Sequence, residues 1–90
     1  MKEELKKHIS QLEEILIEFR ISEEKAQSLL ADFLGELKNE KTDSESAYGV
    51  CIYNVLATIN SVPCLTKKSA QLMNALMEAK EEMSIISEIL

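Results

Sequence analysis

Ninety residues fit a single domain, 1–90, because domains mostly run to about 100–150 residues, and a chain this short has a thin core that a partner can complete. Apolar residues make up 46%, too many for disorder, while one Pro and two Gly leave few places for turns and argue against many short strands. Net charge is −6, with 7 basic and 12 acidic side chains before residue 46 and only 3 and 4 after it, a balance that repels phosphate backbones and argues against nucleic acid as a partner.

The chain reads as all-α, with helices expected over 2–20, 23–38, 45–61 and 67–90. In the first, Leu5, Ile9, Leu12, Leu16 and Phe19 recur at spacings of four, three, four and three, a stripe that faces a partner helix. Ile15 and Ile17 widen the stripe toward a second neighbour. His8, flanked by Lys7, reads as a surface residue at the edge of this helix. Ser22 is a good N-cap for the second helix, with Glu23 and Glu24 where the helix dipole favours anions and Ile21 placed to staple onto Ala26. Ala26, Leu29, Leu30, Phe33, Leu34 and Leu37 then line one side. Gly35 sits inside the pattern, at a position suited to close approach of another helix.

A polar stretch, KNEKTDSES, follows as the longest loop, with Asp43 or Ser44 expected to cap the third helix. From Ser46 to Thr66 there is no charged residue, in a chain that is 29% charged. This run is expected to be the central element, wrapped on most sides. Tyr48, Cys51, Ile52, Val55, Leu56 and Ile59 form its broad apolar face, and Val62-Pro63 ends it because a residue before Pro is pushed out of helical geometry. Thr66 caps the last helix, with Leu65 placed to staple onto Ala70. Leu72, Leu76, Ala79, Met83, Ile86 and Leu90 continue it over roughly 36 Å, so its final turns are expected to project beyond the others. Short connections near 20–22 and 61–66 imply an antiparallel up-down-up-down four-helix bundle.

No catalytic constellation is visible, and an enzyme is not expected. The single His8 offers little for acid–base chemistry, and two isolated Gly cannot cradle a phosphate. Cys51 and Cys64, thirteen residues apart, lack metal-ligand spacing and read as buried free thiols. No cofactor or metal is expected. MKEELKKHISQLEE lacks the apolar core of a signal peptide, and Asn54, Thr58, Asn60, Ser61 and Pro63 break the neutral run far below the roughly 20 apolar residues of a membrane span. A cytoplasmic protein without a span is expected. Met73, Met77 and Met83 read chiefly as core filler. The expected partner edge is the crowded end of the last helix, where Ile85 lies opposite the stripe formed by Ile86 and Leu90.

The stretch FLGELKNEKTDSESAYGVCIYNVL, followed by PCLTKKSAQLMNALMEA, resembles the second helix, polar loop, third helix and last connection of the enterocin A/pediocin-type bacteriocin immunity proteins. The resemblance spans nearly the whole chain and is one of layout. It implies a cytosolic bundle that protects a bacteriocin producer from its own pore-forming peptide by recognising the toxin-engaged mannose phosphotransferase membrane receptor. By position, the family's specificity region falls on the exposed side of the last helix, around Glu81, Ile85, Glu88 and Ile89. Many members are basic, whereas this chain is acidic. A monomer is the favoured state for this role, with a dimer the alternative. The competing reading is a small helical adaptor or chaperone that oligomerises or binds a partner helix through an apolar face.

Overall fold

The computed structural model describes residues 2–40, 46–62 and 69–89. Four helices occupy them: α1 (Lys2–Phe19), α2 (Glu23–Asn39), α3 (Ala47–Asn60) and α4 (Ser69–Ile89). They form the expected antiparallel four-helix bundle, about 34 × 22 × 20 Å across. Each expected helix is present; the ends expected at 2, 20, 23, 38 and 61 are met to within one residue, and those expected at 45, 67 and 90 lie outside the described residues.

The buried stripe of α1 is Leu5, His8, Leu12 and Ile15, while Ile9, Leu16 and Phe19 flank the core and Ile17 points into solvent. The helix is thus turned slightly from the expected orientation, and a polar residue fills one core layer. It still packs against two neighbours, α2 and α4. At the turn into α2, the amide of Ser22 donates to the carbonyl of Glu18 at 2.7 Å, and the Ser22 hydroxyl accepts from the amide of Lys25 at 3.3 Å. Ser22 is therefore the N-cap, as expected. Ile21 is not a staple: it is 74% exposed, whereas Ala26 is buried. Gly35 also departs from expectation, because a Cβ built there meets nothing within 4 Å, so no helix approaches it closely.

Ser46 caps α3, accepting from the amide of Gly49 at 2.9 Å. The caps expected at Asp43 or Ser44, the Pro63 stop, the Leu65–Thr66 device, Cys64 and Leu90 all lie outside the described residues. Tyr48, Cys51, Ile52, Val55 and Ile59 are buried, and Leu56 is partly so. The opposite side of α3 is bare, which overturns its expected central place. α3 packs mainly on α4 and touches α2 only marginally, so it is an outer member of the bundle. The spine is the α1–α4 pair, each of which has two substantial neighbours. The absence of charge along α3 marks an uncharged exposed side as much as a buried one.

In α4, Leu72, Ala75, Leu76, Ala79 and Met83 enter the core. Met73 is half-buried and Met77 exposed, so only one of the three methionines in question is true core filler. Ser87 is buried and Ile86 packs on the core, so the last turn is anchored where projection had been expected.

Candidate functional site

Helical periodicity places Glu81, Ile85 and Glu88 on one side of α4, with Ile89 at its margin. All four residues are exposed; Ile85 and Ile89 show 51% and 71% of their surfaces to solvent. Two apolar side chains flanked by carboxylates make an exposed amphipathic edge among the described residues.

Glu81 also reaches the rim of a groove between α1 and α4. Two adjoining hollows of about 450 and 360 Å³ share Leu16, Arg20 and Lys80. Met73 and Met77 supply an adaptable apolar wall. Lys80 pairs with Glu13 across the helices at 3.3 Å, whereas Arg20 makes no ion pair among the described residues. In a chain of net charge −6, this groove gathers two cations beside apolar surface. The periodicity of α1 and α4 separately could not reveal it, because the groove exists only where the two helices meet.

A polar network, buried at His8 and Tyr48 and exposed at Lys7 and Glu36, joins α1 to the ends of α2 and α3. His8 is 2% exposed, a correction of its expected surface position, and its ring meets Phe33 edge-on at 5.7 Å. Its Nε2 lies 2.6 Å from Glu40 Oε1, and its Nδ1 lies 2.9 Å from Gln11 Oε1. Gln11 is oriented by donating its Nε2 hydrogen to Glu36 Oε2 at 2.6 Å, and Lys7 closes the outer edge on Glu36 Oε1 at 3.4 Å. Both imidazole nitrogens thus face side-chain oxygens, one on Gln11 and one on Glu40. Tyr48 donates to Glu40 Oε2 at 2.5 Å. Burial, reinforced by the Glu40 carboxylate, holds the Tyr48 hydroxyl protonated far above its usual range.

The hydrogen bond from Gln11 holds the Glu36 carboxyl below its usual range, helped by Lys7. This network is a clasp at the place where α2 and α3 otherwise barely touch. Its carboxylate comes from Glu40, the residue that caps the C-terminus of α2. No local sequence signal announced it, because its members come from three helices. Cys51, deeper beside this layer, is buried and free, and burial pushes its thiol up to about 11 with Glu82 adding to the effect. A thiol held protonated in this way is a poor nucleophile.

Among the described residues no group of three or more His, Cys, Asp or Glu is placed to hold a metal ion, and no helix is long and apolar enough to cross a membrane. No protein-family model, curated protein or solved structure matches this chain.

Proposed function

We propose that this protein is a non-enzymatic binding module, and that it acts as an immunity protein against a pore-forming, pediocin-like bacteriocin. Its partner is the toxin-engaged mannose phosphotransferase receptor, met from the cytoplasmic side. Support comes from the resemblance in layout and, above all, from the amphipathic edge of α4, where Ile85 and Ile89 stand exposed between Glu81 and Glu88. Exposed apolar side chains rimmed by charge are the pattern of a docking edge. The bundle behind them holds α4 rigid through Leu76, Ala79 and Met83.

The test is expression in a bacterium sensitive to pediocin-like peptides. The inhibitory concentration of at least one peptide should rise, and Ile85→Asp should reduce that protection while leaving helicity intact. A broad panel with no protection would remove the immunity reading.

A second reading, a helical adaptor, is favoured by the α1–α4 groove. Its Arg20, which makes no ion pair among the described residues, and its Met-rich wall suit a partner helix that carries apolar residues and a carboxylate. Arg20→Glu should then abolish capture of such a helix without affecting bacteriocin protection.

A further inference from the structure

The clasp at the base of α3 has a proton count that its geometry fixes, and neither reading of function uses it. Lys7 can only donate, and it approaches Glu36 Oε1 at 3.4 Å, so Glu36 is an acceptor. Gln11 therefore turns its amide nitrogen to Glu36 Oε2, at 2.6 Å, and its oxygen to His8 Nδ1, at 2.9 Å. The reverse orientation would set an amide oxygen against a carboxylate. Nδ1 thus carries a hydrogen. On the far side of the ring, Glu40 Oε2 accepts from the Tyr48 hydroxyl, which burial and that carboxylate keep protonated. Glu40 Oε1 then faces His8 Nε2 at 2.6 Å, and two bare lone pairs do not meet at that distance. One more proton lies between them.

We infer that this shared proton is a pH-operated latch: it holds the first turn of α3 to the end of α2, and its loss as pH rises releases that turn. The placement of the groups carries this. Glu40 caps the C-terminus of α2, Tyr48 stands in the first turn of α3, and the two helices otherwise touch only marginally. Without the proton, the Nε2 lone pair is set against the Glu40 carboxylate. Glu40 is 23% exposed and can turn outward to water, which takes the acceptor from Tyr48. Nδ1 keeps its hydrogen bond to Gln11, and α3 keeps its packing on α4, so the opening is local.

Burial of the ring disfavours a positive charge on it, and the carboxylates around it favour that charge. From α1, Glu4 lies one turn before His8, and Lys7 is held on Glu36. From α2 come Glu36 and Glu40, and from α3 the Tyr48 hydroxyl. On α4, Glu82 acts on Cys51 beside this layer. Glu40 alone among these groups touches Nε2 at hydrogen-bond distance, so the proton and this carboxylate depend on each other. Where the fold binds the proton and the unfolded chain does not, stability falls as pH rises. The latch rests on neither functional reading.

Urea unfolding of the full chain from about pH 5.5 to about pH 8.5 tests the proposal, because a histidine ordinarily titrates at about 6.5 and this chain has one. The range stops short of the Cys51 window, which opens at 9.0. Across it, the unfolding constant of the wild type should rise at least about threefold more than that of Glu40→Gln. That variant offers Nε2 an amide donor in place of the shared proton, and the α-amino group titrates equally in both chains. His8→Gln, which donates without titrating, should be as flat as Glu40→Gln. Hydrogen exchange reads the local release in the wild type alone. The protection factor of the Val50 amide, which donates to the Ser46 carbonyl at 3.0 Å, should fall at least about threefold over the same range. A wild-type profile parallel to that of either variant, or Val50 protection unchanged with pH, overturns the latch.

Discussion

Replacing Tyr48 with Phe keeps a buried ring in place and removes one hydroxyl, so it isolates the clasp between α2 and α3. That hydroxyl donates to Glu40 Oε2 at 2.5 Å, while His8 Nε2 holds Oε1 at 2.6 Å. A hydrogen bond to a charged group contributes about 1.5–3 kcal/mol. Glu40 is 23% exposed, so water can replace part of the lost interaction, and the cost should lie near the lower end, about 1.5 kcal/mol. For a small domain with a urea slope of roughly 1 kcal/mol/M, the unfolding midpoint should fall by roughly 1.5 M. The thermal midpoint should fall by roughly 6–12 °C.

Far-UV circular dichroism in a urea series measures this, with Glu40→Gln and the double variant completing a thermodynamic cycle. The two residues should couple by about 1 kcal/mol or more, since they share one bond. A loss for Tyr48→Phe below about 0.3 kcal/mol, or additive single effects, would show that the hydroxyl exchanges its partner for water without cost. The clasp would then play no part in holding α3 to the bundle.

Other variants probe other links. Gly35→Ala should stabilise the domain by about 1 kcal/mol, because the site is open and helical and Ala loses less backbone entropy than Gly; a lower melting temperature would reveal a close neighbour. Stability should also decline in alkali. Cys51 is protonated in both states below its ordinary value of 9.0, but between there and about 11 only the unfolded thiol has lost its proton. Over that window the folded state binds more protons, and stability falls by up to about 1.4 kcal/mol per pH unit. Tyr48, raised in the same direction from 10.0, prolongs the loss at higher pH. Cys51→Ala should flatten the first part of this decline in pH-dependent urea titrations, and an unchanged slope would exclude the thiol as its source. Finally, Val55→Asp should unfold the domain, whereas Leu56→Asp should be the milder change, because Val55 is fully buried and Leu56 only partly. Thermal melts rank the two, and the reverse order would contradict this placement of α3.

Much of the fold was legible because helices are local objects. The three-four spacing of Leu5, Leu12, Leu72, Leu76 and Met83, together with the cap at Ser22, depends only on neighbours along the chain and the geometry of a turn. The exposure of Ile85, beside Glu81 and Glu88, followed from the same periodicity, whereas Ile89 joined them only through the resemblance in layout. The misplacement of His8 was of the opposite kind. His8 looked like a surface residue because its Lys7 neighbour is charged, yet its partners Glu40 and Tyr48 lie 32 and 40 positions away. A polar residue belongs in a core only when distant partners satisfy it, and nothing local signals their presence.

Composition by itself determined that the neutral run would be a helix able to bury an apolar side. That the helix would stand outside the α1–α4 spine, with its other side bare, was decided by tertiary packing alone. Hydrophobic burial requires an apolar side to be covered, but a surface free of charge tolerates water as well as protein, so the sequence pattern could not distinguish a helix sheltered on all sides from one at the edge of the bundle.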